Sequence, residues 1–480
     1  MKCAFGKISL KGTFKEQWEY GTGLYGRFLY LQSGEEQALI CAFDLAGTFR
    51  SDARRFTASV SRLTGIPQKS IWFHELQIHA APGGEELCGE PVDMMISRSA
   101  EEINAMILRA EECECSACDI HMGTEFTMNR EQYVEGLGGV TVWRGLKFDK
   151  DGVPYTNDPS VMLLRGYAPK LESLEKGVYF DNAVDEKAYL FAFKNKSGKT
   201  LGTLSRFAAH PDVAVLFEHS ENPDRLKEYR YDFDWPGYLT EIMEREFGAP
   251  GMYINGPCAD LAVKKDCVNK GTYVSSAAEC RRIAALIGGK MIKEFASNAR
   301  PVDTNAVFKT ETFEIKLPVK EDFPRSRAEA RDFEGRVKSA QSALDKALEE
   351  GRPAYEIKKL IDERWRKGHF HSMVFSSGGY TDEELASREV HVQVTALRFG
   401  GYLFVGVPGE SLVDITLWLR GSFTGEKTVP VDQVNGYCNY LATPRSLTLG
   451  GYTYWSSFVS RGAIPKLKRE LYPLLRAFME

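Results

Sequence analysis

The residues best suited to chemistry in this chain are a carboxylate, two histidines and several phenols placed near the ends of apolar runs. Glu410 closes the run Tyr402-Leu403-Phe404-Val405-Gly406-Val407-Pro408-Gly409. Shortly after it come Asn435-Gly436-Tyr437-Cys438-Asn439-Tyr440 and Gly450-Gly451-Tyr452. A carboxylate and several phenols can thereby meet on one strand edge, where such groups bind cations or relay protons. Upstream, His210 follows an apolar stretch in Phe207-Ala208-Ala209-His210-Pro211, and His79 closes Trp72-Phe73-His74-Glu75-Leu76-Gln77-Ile78-His79. On a strand over 71–79, Gln77 and His79 share a face because side chains alternate, whereas His74 and Gln77 face oppositely.

Such residues need strand ends to carry them, and the hydrophobic pattern predicts those strands. An opening strand over 1–10 is followed by strands over 25–31 and 38–44, separated by a turn at Gly34. The stretch Leu39-Ile40-Cys41-Ala42-Phe43 is apolar on both faces, as in a buried strand, and leaves Asp44 at its carboxyl end. A helix over 52–64 and the strand over 71–79 complete a β-α-β alternation, which places ligand sites at the carboxyl ends of the strands. A helix over 100–112 then leads into a strand over 113–122. Strands over 188–193 and 201–208 flank the turn Asn195-Lys196-Ser197-Gly198. The sequence Ser276-Ala277-Ala278-Glu279 reads as a capping box for a helix running through Ile283, Leu286, Ile287, Met291 and Phe295.

Between 326 and 368, Phe333, Val337, Ala340, Leu344 and Ala347 recur at helical spacing. Gly351 and Pro353 interrupt the pattern, and Ile357, Leu360 and Ile361 resume it. This predicts a helical hairpin inserted into the body, with a role as a lid left open. Strands over 392–399 and 402–407 form a hairpin about Gly400-Gly401, and a helix over 465–478 follows. With no internal repeat or low-complexity linker, the expected fold is α/β: mixed, layered β-sheets flanked by helices in one domain over 1–480, with the hairpin over 326–368 as an insertion.

Composition excludes several partners. With 61 basic against 66 acidic residues, a net charge of -5, the chain lacks an electrostatic footprint for nucleic acid. No continuous apolar stretch reaches the roughly 18 to 20 residues of a membrane helix. The N-terminus lacks the apolar core of a secretory signal, and a cytoplasmic location is expected. Ten cysteines are too sparse for a disulfide framework. The run Cys113-Glu114-Cys115-Ser116-Ala117-Cys118 with His121 contains C-x-x-C spacing, but a second such half is missing. Strand alternation also turns Cys118 away from Cys113 and Cys115, so structural thiols are expected there.

The order of motifs along nearly the whole chain resembles the catalytic domain of the neutral/alkaline ceramidase family, whose members are zinc amidases. Leu76-Gln77-Ile78-His79-Ala80-Ala81-Pro82 is similar to the family's T-H-T-H-S-G/A-P segment, and Ala209-His210-Pro211 to its H-P segment. Asn255-Gly256-Pro257-Cys258-Ala259-Asp260 resembles the loop containing G-D-x-S-P, and Pro408-Gly409-Glu410 the P-G-E segment. Asn129-Arg130 resembles an N-R element, and Tyr440 and Tyr452, twelve residues apart, the terminal tyrosine pair. The resemblance implies a ceramidase-like fold with zinc held by His210, Glu410 and Tyr440. It further implies that Arg130 and Tyr452 polarise the substrate, with His79 as proton shuttle. Zinc lowers the pKa of bound water to about 7, and a cationic arginine with a phenol stabilises the resulting oxyanion.

Two positions depart from the family. Gln77 stands where the first histidine of T-H-T-H, the remaining metal ligand, is found, and an amide oxygen is a poorer zinc ligand than imidazole. That leaves a weaker metal, a different metal, assistance from His79, or no metal as open outcomes. The loop serine falls near Ala262, so its hydroxyl is missing, and Cys258 is the nearby thiol. A C-terminal immunoglobulin-like domain, common in the family, is not expected here, and a small soluble amide or ester is a better substrate than ceramide. Three functions follow: a metal-dependent hydrolase of a C–N or ester bond; a degenerate relative that binds a ligand without turnover; and a cysteine hydrolase using Cys258 and His79.

Overall fold

The computed structural model describes residues 1–14, 19–134, 138–141, 147–148, 154–155, 183–214, 230–264, 277–377 and 379–480. The N-terminal runs form strands β1 (Lys2–Ser9), β2 (Tyr25–Ser33), β3 (Glu36–Phe43), β4 (Ile71–Glu75) and β5 (Glu111–His121). Strands β6 (Lys187–Asn195), β7 (Thr200–Phe207) and β8 (Gly251–Asn255) follow. Their spatial order is β8-β7-β6-β5-β1-β2-β3-β4, with Arg300–Val302 also paired to β5. Pairing is antiparallel except for β7 with β8 and β3 with β4, as expected for hairpin connections broken by helical crossovers. One crossover is helix α1 (Arg50–Thr64), between β3 and β4.

A second sheet has the order β9 (Lys309–Pro318), β10 (Glu389–Phe399), β11 (Tyr402–Gly406) and β12 (Lys427–Val431). Along β11 the alternation of residues divides two cores, because successive side chains leave opposite faces of a strand. Tyr402 and Phe404 belong to the core shared with the first sheet, and Leu403 and Val405 to the core under the C-terminal helix Ala463–Met479. Phe191 of β6 bridges the sheets, its ring 4.8 Å from Tyr402 and 5.5 Å from Phe404. Helices α2 (Glu90–Leu108), α3 (Asp234–Phe247) and α4 (Ala277–Asn298) cover the first sheet, giving the mixed, layered α/β architecture expected.

Several boundaries differ from expectation. Strand β4 ends at Glu75, not His79, because Gln77 adopts φ +60°, a left-handed conformation incompatible with continued pleating. Helix α2 starts ten residues earlier than read, with a proline in its first turn, and stops at Leu108 because β5 takes over at Glu111. Asp44 is no open ligand: it is fully buried and accepts from Arg27 at 2.7 and 2.9 Å. On β5, Cys113 meets the Cys3 thiol, while Cys118 faces α4 and donates to the Glu294 carbonyl. Ser276, the first residue of the expected capping box, and the Phe333 side chain lie outside the described residues.

The hairpin consists of α5 (Phe333–Glu349) and α6 (Ala354–Ser372), broken at Gly351 and Pro353. Its apolar stripe, Leu344, Ala347, Ile357 and Ile361, packs against Val140.

Candidate active site

One side of the site is built from imidazoles carried on irregular backbone. After β4 the chain keeps hydrogen bonding to the end of β3, through Leu76 N to Phe43 O at 3.0 Å and Ile78 N to Leu45 O at 2.9 Å. The turn at Gln77 sends both its side chain and His79 into one cavity, although they do not share a strand face. His210 leaves the end of β7 and donates its backbone N–H to Leu261 O at 3.0 Å. The two histidines then meet, Nε2 to Nε2 at 2.9 Å.

The segment from Asn255 to Leu261 is the hub of this side. Asn255 Nδ2 donates to Ala209 O at 3.1 Å, and His210 Nδ1 lies 3.3 Å from Cys258 O. Nδ1 also lies 3.4 Å from Arg130 Nη2, which only donates, whereas the Cys258 carbonyl only accepts, so the two neighbours favour opposite tautomers of His210. Arg130 donates to Ala259 O through Nε at 2.8 Å and Nη2 at 2.5 Å, and its backbone N–H bonds Asp260 O at 2.7 Å. The loop whose serine is missing thus works as a bracket for Arg130 and His210.

The other side is phenolic. Glu410–Ser411 and Tyr440–Leu441 form a short parallel ladder in which Glu410 and Tyr440 are direct partners. Tyr437 Oη donates to Glu410 Oε1 at 2.5 Å, and Arg130 Nη2 donates to Tyr440 Oη at 2.6 Å. The Tyr452 ring stands perpendicular to Tyr440 at 5.3 Å. Gln77, His79, Glu410, Tyr437, Tyr440 and Tyr452 all line a cavity of about 330 Å³, together with Gly47, Gly83 and Glu86 among others. Arg130 is not among the lining residues; it reaches the cavity through Tyr440.

Burial governs the protonation states. It pushes the Glu410 carboxyl up, against nearby donors on Tyr437, Tyr440 and Gln77 and the Arg130 charge, which favour the carboxylate. Burial, then the Arg130 charge and His79, hold His210 well below the ordinary histidine range, so it is neutral. Burial raises the Tyr440 phenol, and the adjacent Arg130 charge opposes that rise.

Among the described residues, no three His, Cys, Asp or Glu side chains cluster as a metal site. The donors present are a neutral imidazole, a carboxylate, a phenol and an amide. Glu410 Oε2 is buried with no hydrogen-bond partner, the condition of a group that lacks its counterpart. That orphaned oxygen fits a divalent cation, whereas His210 Nε2 is taken up by His79 at 2.9 Å. Cys258 does not line the cavity: it lies on the Nδ1 side of His210 at 3.9 Å, and burial pushes its thiol well up. That geometry argues against a nucleophilic Cys258.

Two site residues were given no role of their own by the sequence. Tyr437 lies three residues before Tyr440 in the same motif and holds Glu410; its place among the phenols of that motif was the available signal. Asp432 accepts from Ser411 N at 3.1 Å and Cys258 N at 3.3 Å, tying the two sides together, and nothing local marks it.

No protein-family model and no curated protein matches the sequence. Among solved structures, neutral ceramidase from Pseudomonas aeruginosa superposes with a TM-score of 0.62 at 12% identity, covering 98% of this chain and 73% of that one. A ceramidase complexed with C2 superposes equally well, with a TM-score of 0.62 at 12% identity over 98% of this chain and 74% of the other. The chain therefore has a neutral ceramidase-like fold, reached by a widely divergent sequence.

Proposed function

We propose that the chain is a hydrolase of an amide or ester bond in a small molecule, with its site formed by Gln77, His79, Arg130, His210, Glu410, Tyr440 and Tyr452. The observation that carries this reading is the convergence of His79, Glu410, Tyr440 and Tyr452 on one cavity, from positions spread over most of the chain. The ceramidase-like fold supports it. In this reading a divalent ion, zinc by analogy, would be held by His210, Glu410 and Tyr440 with the Gln77 amide oxygen in the fourth place. When bound, such an ion supplies hydroxide at neutral pH and polarises a carbonyl.

The chain's own groups do the remaining work. His79, which lines the cavity, takes a proton from the attacking water and returns it to the leaving nitrogen or oxygen once its contact with His210 is given up to the ion. Arg130 donates to Tyr440 Oη, and its charge opposes the rise that burial imposes on that phenol. Tyr452 Oη donates to the carbonyl oxygen as it becomes an oxyanion.

The second reading, a binder without turnover, draws on Gln77. A neutral amide replaces an imidazole there, on backbone held at φ +60°. Elemental analysis of untagged protein, with hydrolysis of p-nitrophenyl acetate and an acyl p-nitroanilide, separates the two. The hydrolase reading expects near-stoichiometric divalent metal and turnover, both lost in Glu410→Ala. Intact wild-type protein with neither metal nor turnover favours the binder.

A further inference from the structure

No hairpin residue is among those lining the cavity; the hairpin's second helix instead grips the segment that carries Tyr452. Asp362 on α6 accepts from Gly451 N at 3.3 Å through Oδ2 and from Trp455 Nε1 at 2.8 Å through Oδ1. Lys358, one turn earlier, donates to the same Oδ2 at 2.5 Å. Glu363 accepts from Tyr454 Oη at 2.9 Å, and Trp365 stacks on Trp455 at 5.8 Å. The residues on both sides of Tyr452 are therefore held from one helix. From the opposite side, Thr141 Oγ1 accepts the Tyr452 backbone N–H at 3.1 Å. Gly450, at φ +88°, leaves room for the approach: a Cβ there would collide with Asp362 Oδ2.

Lys358 and Asp362 are 1% and 3% exposed. Burying an ion pair costs desolvation that an apolar pair of equal volume avoids, so stability alone does not explain it. What the carboxylate supplies is direction: two fixed hydrogen bonds, at Gly451 and Trp455, that set where the short helix Tyr452–Trp455 begins and how it is rotated. We propose that the Lys358–Asp362 pair is a positioning element that aims Tyr452 into the cavity, so that the hairpin acts on the reaction through this one tyrosine. The proposal rests on the reading that Tyr452 serves the hydrolytic site.

The test places 3-fluorotyrosine at position 452 and follows its fluorine resonance, together with hydrolysis of p-nitrophenyl acetate. Asp362→Asn is expected to shift or broaden the resonance and lower kcat at least tenfold with KM within twofold. Trp455→Phe, which removes only one of the two hydrogen bonds and keeps the ion pair, gives a smaller change in the same direction, and serves if Asp362→Asn does not fold. A resonance unmoved in the folded variants overturns the proposal. A resonance that moves while Tyr452→Phe keeps the full rate upholds the positioning role and instead removes Tyr452 from the proposed mechanism.

Discussion

The imidazole and phenol sides of the cavity are secured by different means. His79, His210 and Arg130 are held mainly by main-chain carbonyls: Arg130 by Ala259, His210 by Leu261 and Cys258, and the His79 backbone N–H by Pro211 O at 3.2 Å. The backbones of Tyr437 and Tyr440 are also bonded to carbonyls, but the phenols themselves and the Tyr452 segment depend on side chains: the Glu410 carboxylate, the Arg130 guanidinium and a carboxylate from α6. Carbonyl brackets survive changes of side chain, whereas the phenol side relies on particular residues far away in sequence. Substitutions should therefore harm the two sides unequally.

The strongest break of this contrast is Lys358→Met, which leaves Asp362 buried without its cation. The expected loss is about 3–5 kcal/mol in urea unfolding, while Lys196→Met, at an exposed pair with Glu112, leaves the midpoint unchanged. Next, Arg130→Met removes a side chain that bonds to both sides, to Ala259 O and to Tyr440 Oη. A fall of roughly 10²–10³ in kcat/KM for p-nitrophenyl acetate is expected with cooperative unfolding retained, as for loss of an electrostatic stabiliser.

The third prediction concerns pH and the imidazole side. His74 lies beneath it, accepting from Asn255 N at 3.0 Å, and burial lowers its pKa to about 4. The unfolded chain takes up this proton near the ordinary histidine value and the folded chain does not, so stability is complete above that value and lost as pH falls toward 4. The loss is on the order of 3 kcal/mol, and His74→Gln should flatten that part of a denaturation-midpoint profile between pH 7 and 4. The smallest effect is expected at Cys258→Ala. The bracket is made by the backbone carbonyl, so activity stays within about threefold; a complete loss in folded protein would restore the thiol as a catalytic group.

The architecture was legible where a short-range repeat specifies it. The apolar run over 402–407 after Gly400-Gly401 predicted the second strand of a hairpin, and the interrupted helical stripe over 326–368 predicted two helices with the break at Gly351 and Pro353. The order of His210, Glu410 and Tyr440 was legible too, because each sits in a short motif. The 71–79 strand was overextended because no local pattern marks the left-handed turn at Gln77, which β3, β4 and the His79 contact to Pro211 impose together.

By itself the sequence determined its strands, helices and turns and the kinds of groups available for chemistry, since periods of 2 and 3.6 residues and turn residues act over a few positions. The tertiary structure alone decided that Arg130 reaches Tyr440 across 310 positions, that Asp362 grips the chain around Tyr452 from 89 away, and that Cys258 packs behind Gln77 and His210 without lining the cavity. Those pairings depend on how sheets and helices stack, and the stacking arises from burial summed over the whole chain, which no single motif encodes.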